Sequence, residues 1–103
     1  MDNLHEIFNR FRQEFPAVYE KHAELGREVH ENSGPLPDKT RWLLKIVISA
    51  ACDHKRALET HIHKALAAGV TMAEIKHALL LMIPTTGFPT FMKAYGVLDG
   101  IRT

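Results

Sequence analysis

Residues 61–76 read HIHKALAAGVTMAEIK, and the local physical chemistry of this stretch sets the class of the whole chain. Ile62, Ala65 and Leu66 recur at helical spacing and continue the apolar face that Leu58 begins one turn earlier. Gly69 then stands where a helix passes into a left-handed C′ residue. Immediately after it, Thr71 and Glu74 have the spacing of a capping box, with Val70 and Ile75 placed to form a hydrophobic staple around it. One helix stops here and another starts.

Outward from this boundary the same periodicity recurs, and no segment alternates apolar and polar residues over a strand length, so the chain reads as all-α. The reading is a single domain, residues 1–103, of about six helices. Leu4, Ile7, Phe8, Phe11 and Phe15 make a first apolar stripe that stops near Pro16, and Val18, His22, Leu25 and Val29 make a second. The loop ENSGPLPD follows, and Pro37 and Asp38 suit the first turn of a third helix that runs to about Cys52. That helix is apolar nearly all round except at Arg41, Lys45 and Ser49, which predicts a central, buried element. Asp53 is placed to N-cap the fourth helix. A fifth is expected over Met72–Ile83, ending at Pro84, and a sixth from about Pro89 to Leu98.

With 103 residues, 46% hydrophobic and 24% charged, the chain is too short for two separate cores. A domain of this size buries only about 60–65% of its unfolded surface, so the apolar content predicts self-association. The net charge of +1 with interspersed signs argues against nucleic acid as a partner. The longest apolar runs fall short of the roughly 20 residues a membrane span needs. MDNLHEIF has no signal-peptide architecture, and the lone Cys52 leaves no intrachain disulfide, so a cytoplasmic protein without membrane association is expected.

The stretch ACDHKRALETHIHKALAAG, residues 51–69, concentrates the cysteine, three histidines and two acids. Helical projection divides it. Arg56, Glu59 and His63 turn to the solvent side, while His54 and His61 lie at one edge of the apolar face. A metal needs ligands converging at about 2.1 Å, yet His61 and His63 diverge by about 200° and His54 and His61 are about 10.5 Å apart along the axis. No metal and no cofactor is expected. Cys52 precedes a helix N-terminus, which favours thiolate, but Asp53 opposes that, so a small buried hydrophobe is the expected role. His61 is flanked on its own face by Ala57, Ala65 and Ala68, which leaves room beside the imidazole for a pocket.

From Lys39 to Tyr95 the chain resembles the carboxymuconolactone decarboxylase family, which includes the alkylhydroperoxidase D-like proteins. HIHKALAAGVT (61–71), the Glu74-Ile75 pair and GFP (87–89) carry the likeness. The resemblance implies an alkylhydroperoxidase D-like helical bundle that assembles as homotrimers or homohexamers. The family's peroxidase branch has two cysteines three apart, a histidine four residues later and an upstream relay glutamate. Here the histidine position is His61, the cysteine positions are Ala57 and His54, and no acid lies between Asp38 and Asp53. Disulfide-cycling peroxidase chemistry within one chain is thereby excluded. The decarboxylase branch, which lacks the cysteine pair and keeps His-Ile at this point, is closer.

The resemblance implies a carboxy-lyase acting on a carboxylated lactone or a related small organic acid, with His61 as proton donor and acceptor. A partly buried imidazole suits that task near neutral pH. Arg41 and Lys45, one turn apart, are candidates to pair with substrate carboxylates or polarise the lactone carbonyl, and His54 and Phe88 to line the same pocket. Trp42, Met82 and Phe91 are further candidate walls. Two other readings stay open: a single-cysteine peroxidase or antioxidant protein using Cys52, and a non-catalytic helical oligomer that binds a small molecule.

Overall fold

The computed structural model describes residues 3–101, with the side chains of Asn3 and Leu4 outside the description. The readings that fall on Met1 and Asp2, and the place of the Leu4 side chain in the first stripe, therefore lie outside this description. Among the described residues there is no strand, and the elements are α1 (Asn3–Glu14), α2 (Pro16–Asn32), α3 (Asp38–Ala51), α4 (Lys55–Ala67), α5 (Met72–Leu80), α6 (Ile83–Thr86) and α7 (Phe88–Ile101). The all-α class holds. Contacts divide the chain into two units, residues 1–35 and residues 36–103.

In the first unit Pro16 opens α2 at its first turn, where its missing N–H breaks no bond. The α1 stripe becomes a row of rings. Phe8 meets Tyr19 of α2 edge-on at 5.8 Å between centroids, and Phe11 lies 6.1 Å from Phe15. The second stripe differs from expectation, because Val18, Leu25 and Val29 are exposed.

In the second unit α3 packs against α4, α5 and α7, and α4 also packs against α7. The core comprises Ile46 and Ala50 of α3, Leu58, Ile62 and Ala65 of α4, Ile75 and Leu79 of α5, and Phe91, Ala94 and Leu98 of α7, closed by Val70 and Met82. Fully burying a side chain such as Ile62 contributes roughly 1.5–3 kcal/mol. The boundary at Gly69 forms as the sequence predicts. Gly69 takes φ +95, its N–H bonds the Leu66 carbonyl at 3.1 Å, and the Val70 N–H bonds the Ala65 carbonyl at 2.9 Å. This is a Schellman closure. Thr71 and Glu74 then complete the capping box: the Glu74 N–H donates to Thr71 Oγ1 at 3.0 Å and the Thr71 N–H to Glu74 Oε1 at 2.8 Å.

Several boundaries depart from the sequence reading. Asp53 does not cap α4; it adopts φ +59 and ends α3, with its N–H on the Ala50 carbonyl and the His54 N–H on the Ser49 carbonyl. Aspartate tolerates this left-handed geometry better than most side chains, and His54 becomes the N-cap residue. The fifth helix stops at Leu80, short of the expected Ile83, and Pro84 sits in the first turn of α6 instead of terminating α5. Gly87, at φ +97 and ψ 156, turns the chain into α7 in a region open essentially only to glycine. α3 is not buried all round, for Leu44 and Ile48 are exposed.

Candidate functional site

α3 and α4 lie against each other, and each contributes one polar side chain to the seam between them. Ser49, 5% exposed, places its hydroxyl 2.9 Å from Nδ1 of the half-buried His61. His61 is held at this seam because Leu58, Ile62 and Ala65 fix the apolar face of α4 in the core. One turn before Ser49 and beyond, α3 carries Lys45 and Arg41, so these three polar residues form one stripe.

Next to the histidine stands Trp42, its ring centroid 6.1 Å from that of His61. Two ammonium groups approach the same indole: Lys45 Nζ at 5.0 Å from α3 and Lys64 Nζ at 5.9 Å from α4. An aromatic face attracts cations, which offsets part of the cost of crowding them. The cost still shows. Burial first, and then the nearby Lys64 and Arg41 cations, hold the Lys45 ammonium below the usual lysine value. Arg41 is 3.6 Å from Asp38, whereas no described carboxylate forms an ion pair with Lys45 or Lys64. An imidazole beside an indole with excess positive charge suits an anionic ligand that exchanges a proton.

Two clefts flank this region. One, of about 350 Å³, runs between the end of α3, the start of α4 and α7, and Ser49, His54, Lys55 and Lys93 contribute to its lining. In it Lys93 Nζ pairs with Asp53 at 3.3 Å. The other, of about 450 Å³, is an apolar groove lined by Leu44, Val47, Ile48, Leu81 and Met82, with Thr85 and Thr86 at its polar end. His61 lines neither; it reaches the first through Ser49.

The candidate residues from the sequence are therefore only partly brought together. His61, Lys45 and Trp42 converge, and Arg41 is near enough to act on Lys45. His54 does not share the His61 surface, because it precedes α4; it is exposed and faces the first cleft. Phe88 is 57% exposed at the start of α7, against Phe91 at 5.9 Å, while Phe91 and Met82 are core residues. Cys52 is exposed at the C-cap of α3, not the buried hydrophobe expected, since the turn at Asp53 carries it out of the packed face. Arg56 and Glu59 are half-buried instead of fully outward, and His63 is exposed. Sequence reasoning did not assign Ser49 or Lys64 to the site. Ser49 is four residues after Lys45 on one helix face, and Lys64 is one turn after His61, so a signal existed for both.

Among the described residues no group of three or more His, Cys, Asp and Glu side chains is arranged to hold a metal ion, and no helix is long and apolar enough to cross a membrane. No curated protein sequence matches the chain. The model of the carboxymuconolactone decarboxylase family matches residues 16–100, which takes in α2 of the first unit, nearly all of the second unit and every residue of the His61 surface. The chain belongs to the carboxymuconolactone decarboxylase family.

Proposed function

We propose that the chain is a decarboxylase-like enzyme acting on a carboxylated lactone or a related small organic acid. The observation that carries this reading is the half-buried His61, bonded to Ser49, beside the Lys45 and Lys64 ammonium groups on Trp42. The substrate carboxylate breaks its bond to carbon and leaves as carbon dioxide, and the electron pair delocalises toward the lactone carbonyl. A lysine ammonium stabilises the developing oxyanion. His61 gives a proton to the remaining carbon and recovers one from solvent, so no oxidant or reductant is consumed. The test is carbon dioxide release from a panel of carboxylated lactones. Wild type should exceed His61→Gln by about 10²-fold or more; equal rates overturn the reading and leave a non-catalytic small-molecule binder.

The exposure of Cys52 keeps a second reading in view, a single-cysteine peroxidase. Its thiolate would attack the peroxide O–O bond, giving a sulfenic acid and an alcohol or water, and an external thiol would reduce the sulfenic acid. Peroxide turnover that survives Cys52→Ser removes it. The same family reading takes the protein as a homotrimer or homohexamer. Exposed Leu44, Ile48 and Leu81 around the apolar groove support self-association, and sedimentation equilibrium tests it.

A further inference from the structure

We infer that Ser49 is a positioning residue that holds the neutral imidazole of His61 in one tautomer, with the proton on Nε2. The inference builds on the reading of His61 as the proton-transfer residue. It concerns a serine that the family likeness does not assign.

A serine hydroxyl carries one proton and can either donate to Nδ1 or accept from an Nδ1–H. The two arrangements are not equivalent at this place. Ser49 is 5% exposed in the interior of α3, and among the described residues the side-chain hydrogen bond of its Oγ is the one to His61 Nδ1, at 2.9 Å. If the hydroxyl donates to Nδ1, its single proton is satisfied and Nδ1 is the acceptor. If it accepts instead, its own proton meets no acceptor among the described residues and has only water at the wall of the first cleft, which Ser49 lines while 5% exposed. The donating arrangement wins, and it obliges the imidazole proton to sit on Nε2.

Imidazole geometry then does the rest, because Nε2 lies across the ring from Nδ1 and is directed away from Ser49. The nitrogen that carries the exchangeable proton is thereby the one that Ser49 does not engage. The helical backbone of α3 fixes Ser49, and the buried Leu58 and Ile62 fix α4, so neither partner can drift without opening the core. The ring is oriented by packing on one side and by one hydroxyl on the other.

Long-range ¹H–¹⁵N correlation spectra of the histidine side chains test this without any substrate, so the result stands apart from whether carbon dioxide is released. At a pH above the His61 titration, wild type should show Nε2 protonated and Nδ1 as an unprotonated acceptor. Ser49→Ala should raise the Nδ1–H fraction severalfold, and Ser49→Thr, which keeps the hydroxyl, should retain the wild-type pattern. Urea denaturation establishes that each variant is folded. A predominant Nδ1–H tautomer in wild type, an unchanged tautomer in folded Ser49→Ala, or an alanine-like spectrum in folded Ser49→Thr would each overturn the inference.

Discussion

Ser49 and His61, twelve residues apart and on different helices, meet at 2.9 Å between Oγ and Nδ1. This bond places a titratable ring in the seam of α3 and α4 with Nδ1 engaged, beside a surface where Lys45 and Lys64 both approach the ring of Trp42. The surface combines a proton carrier with two lysine ammonium groups that no described carboxylate pairs, and both properties have measurable consequences.

A dicarboxylate such as malonate should bind at Lys45 and Lys64. Lys45→Met should weaken binding by about tenfold, the loss expected for one charge-assisted hydrogen bond. Since burial and neighbouring cations lower the Lys45 pKa, its charge is lost at a lower pH than an ordinary lysine's. Affinity should therefore decline as pH rises through that lowered value. In Lys64→Met the decline should move to higher pH, because one source of repulsion is gone. Titration calorimetry across a pH series reads both effects; a pH-independent affinity in wild type would contradict them.

Cys52 should react with a disulfide reagent in the folded protein at a rate comparable to a small free thiol, without denaturant. A burst of reactivity appearing only on unfolding would instead mean that the end of α3 is closed.

Two glycine substitutions should move stability in opposite directions. Gly69→Ala forces a side chain into φ +95 at the end of α4 and should cost about 1 kcal/mol or more. Gly26 lies inside α2, and a Cβ there meets nothing within 4 Å, so Gly26→Ala should add about 0.5–1 kcal/mol to helix stability. Urea denaturation followed by helical circular dichroism measures the pair.

At the start of α5, Thr71→Ala should cost about 1 kcal/mol through the lost cap. Glu74→Gln tests the charge. The Thr71 backbone hydrogen bond is the main cause that lowers the Glu74 pKa below its unfolded value. Its charge therefore contributes stability above the unfolded pKa, and the contribution is lost as pH falls through the lower folded pKa. The gap between wild type and Glu74→Gln should be widest near neutrality and close in acid. A gap that widens in acid would reverse the assignment.

The fold was legible wherever its cause is local. The α4 stop at Gly69 and the box of Thr71 and Glu74 depend on hydrogen bonds that span a few residues, and the sequence contains all their partners. Asp53 and Pro84 misled for a related reason. Each residue type suits two neighbouring positions at a helix end, and packing selected the one that periodicity did not.

The sequence by itself determined the all-α class, the family and the inward edge on which His61 lies, because helical periodicity assigns a residue to a face. It could not determine what that face meets. Only the tertiary structure put Ser49 against His61, Lys64 beside Lys45 on Trp42, and His54 at a different cleft. It also exposed Cys52 and left Leu44 and Ile48 open on a helix whose composition predicted a central, buried element. The physical reason is the same in each case. Periodicity gives the direction of a side chain from its own axis, whereas a site arises where two axes cross, and that crossing is set by how the core residues of α3, α4 and α7 interlock.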